Sequence, residues 1–172
     1  MKFARYAAAL GACLLLAACG QAARSLAASE PADDAVCALD GMSIRDYPGP
    51  KAQIAYHGGR VDFFCSLSEL FEVLFGEDGL QGVGASYVQD MGQADWHRPR
   101  GHWIDARSAW YVLDSRAEGA MGPTIGTFAR QEDAQAFARR EGGRVLAFAA
   151  IRPAMLKLGT QPAHGAGDNA MH

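Results

Sequence analysis

The chain has 172 residues, with 16 Lys and Arg against 19 Asp and Glu, for a formal net charge of −3. Its basic residues are scattered and form no stripe that would neutralise a phosphate backbone, which argues against nucleic acid as a partner. Four cysteines are too few and too unevenly placed for the disulfide framework of a small secreted scaffold.

In chain order, Met1-Lys2-Phe3-Ala4-Arg5 is a short basic start, and Tyr6 to Ala18 carries no charge. That apolar run falls short of the roughly 20 residues a helix needs to cross a bilayer, so residues 1–18 read as a signal peptide rather than a span. It ends Leu16-Ala17-Ala18-Cys19-Gly20, which resembles the lipobox of bacterial lipoproteins. The resemblance implies cleavage before Cys19, a lipid on its sulfur, and a protein tethered to the periplasmic face of a membrane. Residues 19–34 are rich in Ala, Ser and acidic side chains and read as the lipidated cysteine followed by a flexible tether. Residues 156–172 shift to Gly, Ala, Asn and His towards their end and read as a flexible tail. With Cys13 lost in the leader and Cys19 lipidated, Cys37 and Cys65 remain, enough for one disulfide or two thiols.

The remainder, about 115 to 125 residues, suffices for one domain or two very small lobes. Ala52 to His57 and Arg60 to Cys65 flank Gly58-Gly59, the signal of a tight hairpin with a two-residue loop. In that register Tyr56 faces Val61, Ile54 faces Phe63 and Ala52 faces Cys65, which puts Cys65 on an apolar face. Ser66-Leu67-Ser68-Glu69 follows as a capping box, and Leu67, Leu70, Phe71 and Leu74 recur at helical spacing until Gly76. Ala85 to Val88 is the next strand.

The same order recurs downstream. Ala109 to Leu113 and Thr124 to Phe128 read as strands, Gln131 to Glu141 as a helix with Ala134, Phe137 and Ala138 inward, and Val145 to Ile151 as a final strand. The expected fold is therefore α+β, with two ββαβ lobes over residues 35–92 and 93–155 forming a pseudo-repeat. Laying Phe64 on Phe128 aligns Glu69 with Asp133 and Cys65 with Ala129, which points to a packing role for Cys65.

No Gly-x-Ser-x-Gly, phosphate loop, His-Glu-x-x-His or Cys-x-x-Cys occurs, and Asp105 and Asp114 lack the spacing of an acid–base pair. A catalytic role has no motif behind it. Sulfur stands out instead. Cys37-Ala38-Leu39-Asp40-Gly41-Met42 and Gly119-Ala120-Met121-Gly122-Pro123 place a thiol and two thioethers in loops, outside any amphipathic stripe. Soft sulfur donors select Cu(I), and thioethers need no deprotonation to bind it. The alternative from the residues alone is that the methionines plug loops and Cys37 pairs with Cys65 in a disulfide.

Met42, the run Asp46-Tyr47-Pro48-Gly49-Pro50-Lys51-Ala52-Gln53-Ile54, then Tyr87-Val88-Gln89-Asp90-Met91-Gly92, Trp103-Ile104-Asp105-Ala106, Tyr111-Val112, Met121-Gly122 and Gly143-Arg144-Val145 together resemble the NosL family of lipoprotein copper chaperones. The resemblance covers about Cys37 to Ile151. It implies a Cu(I) metallochaperone, not an enzyme, that serves nitrous oxide reductase by loading its copper-sulfide (CuZ) centre, with the metal held by Cys37, Met42 and Met121. The family's cysteine often lies nearer the methionine, at the place Asp40 occupies here. His57, His97 and His102 are further candidate ligands, each also explained as a solvated surface histidine. The contrasting expectation is a structural assembly lipoprotein closed by a Cys37–Cys65 disulfide.

Overall fold

Antiparallel sheets of four, three and two strands with two helices make an α+β fold in this computed structural model, which describes residues 26–77 and 79–156. The expected leader, the lipidation site Cys19 and the tail beyond Leu156 lie outside the described residues. Strand β1 (Ala52–Tyr56) is central in the larger sheet, flanked by β2 (Val61–Phe64) and β3 (Val83–Gln89). Helix α1 (Leu67–Phe75) joins β2 to β3 and opens on the expected capping box. The Ser66 backbone N–H donates to Glu69 Oε2 at 3.0 Å, and the Glu69 N–H donates to Ser66 Oγ at 3.4 Å. Leu67, Leu70, Phe71 and Leu74 form its buried stripe. Strand β4 (Trp103–Asp105) lies past residue 93 yet pairs with β3 through Val88 and Ile104, adding a fourth strand to this first sheet.

The second half repeats the order. Strand β5 (Trp110–Leu113) is followed by a small hairpin, β6 (Glu118–Gly119) and β7 (Gly122–Pro123), with Ala120 and Met121 at its turn. Strand β8 (Gly126–Phe128), helix α2 (Gln131–Glu141) and strand β9 (Arg144–Ala147) complete it, and β5 lies between β8 and β9 as β1 lies between β2 and β3. One hydrophobic core crosses both halves: the Phe71 ring of α1 lies 5.3 Å from Tyr111 of β5 and 6.1 Å from Phe148. The Tyr111 hydroxyl donates to the Ala106 carbonyl at 2.6 Å, which satisfies the one polar atom that this ring brings into the core.

Three expectations need correction. Ala52 pairs with Phe64 and Ala55 with Val61, one residue away from the register that a two-residue loop would impose. Tyr56 and Arg60 close a three-residue loop instead: the Tyr56 N–H donates to Arg60 O at 2.9 Å, the Gly59 N–H to Tyr56 O at 2.8 Å, and Gly59 takes φ +83°. This is a type I turn plus a left-handed glycine bulge, and it leaves Cys65 beyond the end of the ladder. The last strand stops at Ala147, where the chain tightens into a 3-10 turn over Phe148–Ala150 that brings Phe148 onto the core.

Residues 26–34, expected to belong to the tether, lie against the first sheet. The Tyr87 hydroxyl donates to Leu26 O at 2.9 Å, and the Gln53 side chain pairs with both backbone groups of Ser29 at 2.9 Å. Glu30 Oε1 accepts from Gly101 N at 2.8 Å and Trp103 Nε1 at 2.6 Å. Arg45 donates to Pro31 O and pairs with Asp33 at 3.1 Å. Gln53 is fully buried; its amide needs partners, and an extended segment with free backbone groups supplies them.

Candidate metal centre

Cys37 and Cys65 converge at the end of the first sheet. Strand β2 is an edge strand, and the Cys37 loop pins itself there through the Ala38 N–H, which donates to Phe63 O at 2.9 Å. The loop is itself closed: the Cys37 N–H donates to Met42 O at 2.8 Å, the Gly41 N–H to Cys37 O at 3.0 Å, and Val36 bridges Ser43. Both cysteines are buried and free, at 3% and 1% exposure, so the expected disulfide alternative is not formed.

Between the thiols sits a carboxylate. Cys37 Sγ donates to Glu69 Oε1 at 3.1 Å and Cys65 Sγ to Glu69 Oε2 at 3.2 Å, while Asp40 Oδ2 lies 3.8 Å from Cys65 Sγ. One ligand atom from each of Cys37, Asp40, Cys65 and Glu69 lies within 4.8 Å of the others. A tetrahedral ion bound to sulfur at about 2.3 Å separates its ligand atoms by roughly 3.8 Å, so the four groups need only a small contraction to share one ion. Cys65 is buried in the core, as a packing role expects, and its thiol also faces the Glu69 carboxylate. With the corrected register it follows Phe64 off the strand and meets the carboxylate that the capping box folds back.

The two thiols titrate against one another. A hydrogen bond from Cys65 holds the Cys37 thiol below the ordinary value, helped by backbone amides and opposed by burial. The same bond, burial and the Glu69 carboxylate push Cys65 up. Of the two thiols Cys37 is therefore the first to ionise, and on doing so it ceases to donate to Glu69 Oε1. Beneath it lies Lys51, 2% exposed, whose Nζ donates to Pro48 O at 3.1 Å and Cys65 O at 3.3 Å. Burial lowers the Lys51 pKa to about 8, against the pull of the Cys65 and Glu69 charges.

The other expected ligands fall in different places. Met42 is half-buried and packs against the core cluster that contains Cys37, and its N–H donates to Asp40 Oδ1 at 2.9 Å. Met121 is 57% exposed at the turn of the β6–β7 hairpin. That hairpin abuts the Pro48-Gly49 segment, since a Cβ on Gly49 would sit 3.5 Å from Gly119 Cα. His57 lies at the hairpin turn, at the far end of β1 from Cys65. His97 and His102 are exposed in the loop before β4, and no histidine joins the cluster among the described residues. Asp40, Cys65 and Glu69 escape the sequence reading. The readable signal was the capping box itself: a carboxylate returning to the N-cap lies beside the residue just before it, here a cysteine.

A family model described as NosL matches residues 28–156. The copper-binding lipoprotein NosL of Stutzerimonas stutzeri is 39% identical over 154 residues, covering 87% of this chain and 80% of that protein. The copper-binding lipoprotein NosL of Achromobacter cycloclastes is 35% identical over 162 residues, covering 91% and 82%. The crystal structure of the copper chaperone NosL from Shewanella denitrificans superposes with a TM-score of 0.72 at 37% identity, covering 76% of this chain and 98% of that one.

Proposed function

The chain belongs to the NosL family, and we propose that it is a lipid-anchored carrier of Cu(I), held through Cys19 at the periplasmic face of a bacterial membrane. It binds and transfers an ion and catalyses no reaction, in keeping with relatives described as copper-binding lipoproteins and a copper chaperone. The observation that carries the reading is the pair of buried thiols on one carboxylate. Two sulfurs in a water-poor pocket suit a soft monovalent ion, and Lys51 offsets part of the negative charge around it. Cys37 supplies the first thiolate and Cys65 the second, while Met42 from the Cys37 loop and Met121 from the β6–β7 turn contribute thioethers.

Delivery follows from where these donors sit. Ala38 to Gly41 are exposed above the buried sulfurs, so lifting one loop uncovers the ion while thiolate contact persists. An acceptor then replaces the ligands one at a time. The acceptor is nitrous oxide reductase or its assembly complex, and the cargo goes to its copper-sulfide (CuZ) catalytic centre.

Anaerobic Cu(I) titration of the chain from residue 20 onward, against a competing chelator, tests the site. X-ray absorption of the loaded protein is expected to count two or more sulfur neighbours. A protein that takes up no Cu(I) with both thiols reduced, or that shows only nitrogen and oxygen neighbours, refutes the reading. Anchoring has its own test, since Cys19→Ala is expected to move the protein from the membrane to the soluble fraction with its fold intact.

A further inference from the structure

The strap over the first sheet fixes which end of the domain a lipid anchor pulls towards the bilayer. Leu26 seats at the start of β3, where Tyr56 pairs with Val83 and Ala55 with Ala85, leaving Gly84 unpaired in a bulge. A Cβ on Gly84 would lie 2.4 Å from the Leu26 side chain, so the strap's first described residue occupies the space that only glycine leaves there. From Leu26 the strap runs along the sheet to Ser29 at Gln53 and Glu30 at Trp103, and Cys37 follows within a few residues.

The two ends of this path are the two ends of β1. Gly84 lies level with Tyr56 and the His57–Gly59 turn, whereas Cys65 follows Phe64, the partner of Ala52. Four or five residues of strand separate these levels, about 15 Å. Six residues stand between Cys19 and Leu26, so the lipidated cysteine lies no more than about 25 Å from the Leu26 end. The same end carries Leu80, 61% exposed, in the loop tied to the turn by the His57 N–H, which donates to Gly82 O at 2.9 Å. Arg60 lies there too, its guanidinium 4.0 Å over the Tyr56 ring and its side chain 65% exposed. Arg60 is paired with Asp62 at 3.3 Å, so the exposed Leu80 side chain is the group at this end best suited to the interfacial layer of a phospholipid bilayer.

We infer that the docked strap holds the His57–Arg60 turn and Leu80 against the bilayer surface and directs the Cys37–Cys65 centre away from it, towards the aqueous side. This rests on the lipoprotein reading above. An undocked strap would add its own length to the tether, and the centre would then have no preferred direction.

The test uses the mature lipidated protein on nanodiscs of phosphatidylethanolamine and phosphatidylglycerol containing a gadolinium-chelating headgroup lipid, read by amide relaxation. Enhancement at Gly58, Gly59, Leu80 and Gly82 is expected to exceed that at Ala38, Gly41 and Met121 several-fold. Leu26→Gly combined with Glu30→Ala touches no strand residue and should flatten this gradient without releasing the protein. Gly84→Val is expected to do the same by expelling Leu26. Equal enhancement at both ends of the parent, or a gradient that survives strap release, overturns the orientation while the anchor stands. If the parent does not carry lipid by mass and stays off the nanodiscs, the lipoprotein reading itself fails, and the orientation with it.

Discussion

The junctions β2–α1 and β8–α2 occupy equivalent places in the two halves, yet only the first gathers chemistry. At the first, Cys65 precedes the cap Ser66, and Glu69 returns its carboxylate to the cap with 4% exposure. At the second, Ala129 precedes Arg130, which makes no side-chain cap, and Asp133 stays in solvent range of Arg130 at 3.7 Å. The Ala129 N–H is instead taken by Asp90 from the end of β3, at 2.9 Å. A strand running into a helix thus provides a returning carboxylate cheaply. It becomes a site where a thiol stands next to it and a second loop, here that of Cys37, covers the pair and excludes water.

The comparison can be broken most severely at the sulfurs. Cys37→Ser or Cys65→Ser is expected to weaken Cu(I) binding by more than about a hundredfold, since losing a direct ligand exceeds the roughly 10–100-fold cost of losing an outer hydrogen-bond partner. Competitive titration measures it, and a Cys65→Ser protein that binds like the parent would return Cys65 to a packing role.

Next comes the carboxylate. Glu69→Ala removes the bonds to both thiols and to the Ser66 backbone and is expected to cost about 2–4 kcal/mol in chemical denaturation of the apo protein. Asp133→Ala, its counterpart, should stay within about 0.5 kcal/mol. Equal costs at the two positions would mean that the carboxylates are simply helix caps.

A smaller effect is expected at the thioethers. Met42→Ile and Met121→Ile preserve bulk and remove only a neutral donor, so each should weaken Cu(I) by about tenfold or less, given that the charged thiolates carry most of the affinity. The same titration compares them, and Met121 alone is expected to do so with no change in apo stability, because it is exposed.

The subtlest expectation concerns protons. Cys37 is lowered and Cys65 raised, so thiolate absorbance of the apo protein should develop in two separated steps. A single thiol ionises below the ordinary range, and the other stays protonated through it. Cys65→Ala removes the hydrogen bond that favours the Cys37 thiolate and should move the first step upward. A single transition of two equivalent thiols would remove the basis for assigning the first thiolate to Cys37.

Much of the fold is visible in the chain because its signals are local. The Ser66–Glu69 cap, the Leu67–Leu74 stripe and the Gly142-Gly143 stop each act within a few residues, and the repeated element order follows from them. The hairpin register is less visible, since Gly58-Gly59 fits a two-residue loop as well as the three-residue loop that forms. Whether Phe148 extends a strand or turns onto Phe71 depends on a ring far away in sequence. The candidate centre divides the same way. Cys37 and Met42 stand out as sulfur in a loop, whereas the meeting of Cys37 with Cys65 depends on one backbone bond from Ala38 to Phe63, a contact that no local pattern announces.

The core that buries Cys37 also contains Tyr111, Ile125, Ile151 and Leu156. A growing chain presents its cysteines long before those residues exist. Until β5 and the final turn have been synthesised and packed, the core that Cys37 and Cys65 join lacks its later members. Completion of that core is therefore a late event in the life of the polypeptide, although the cysteines are among the first residues of the domain to be made.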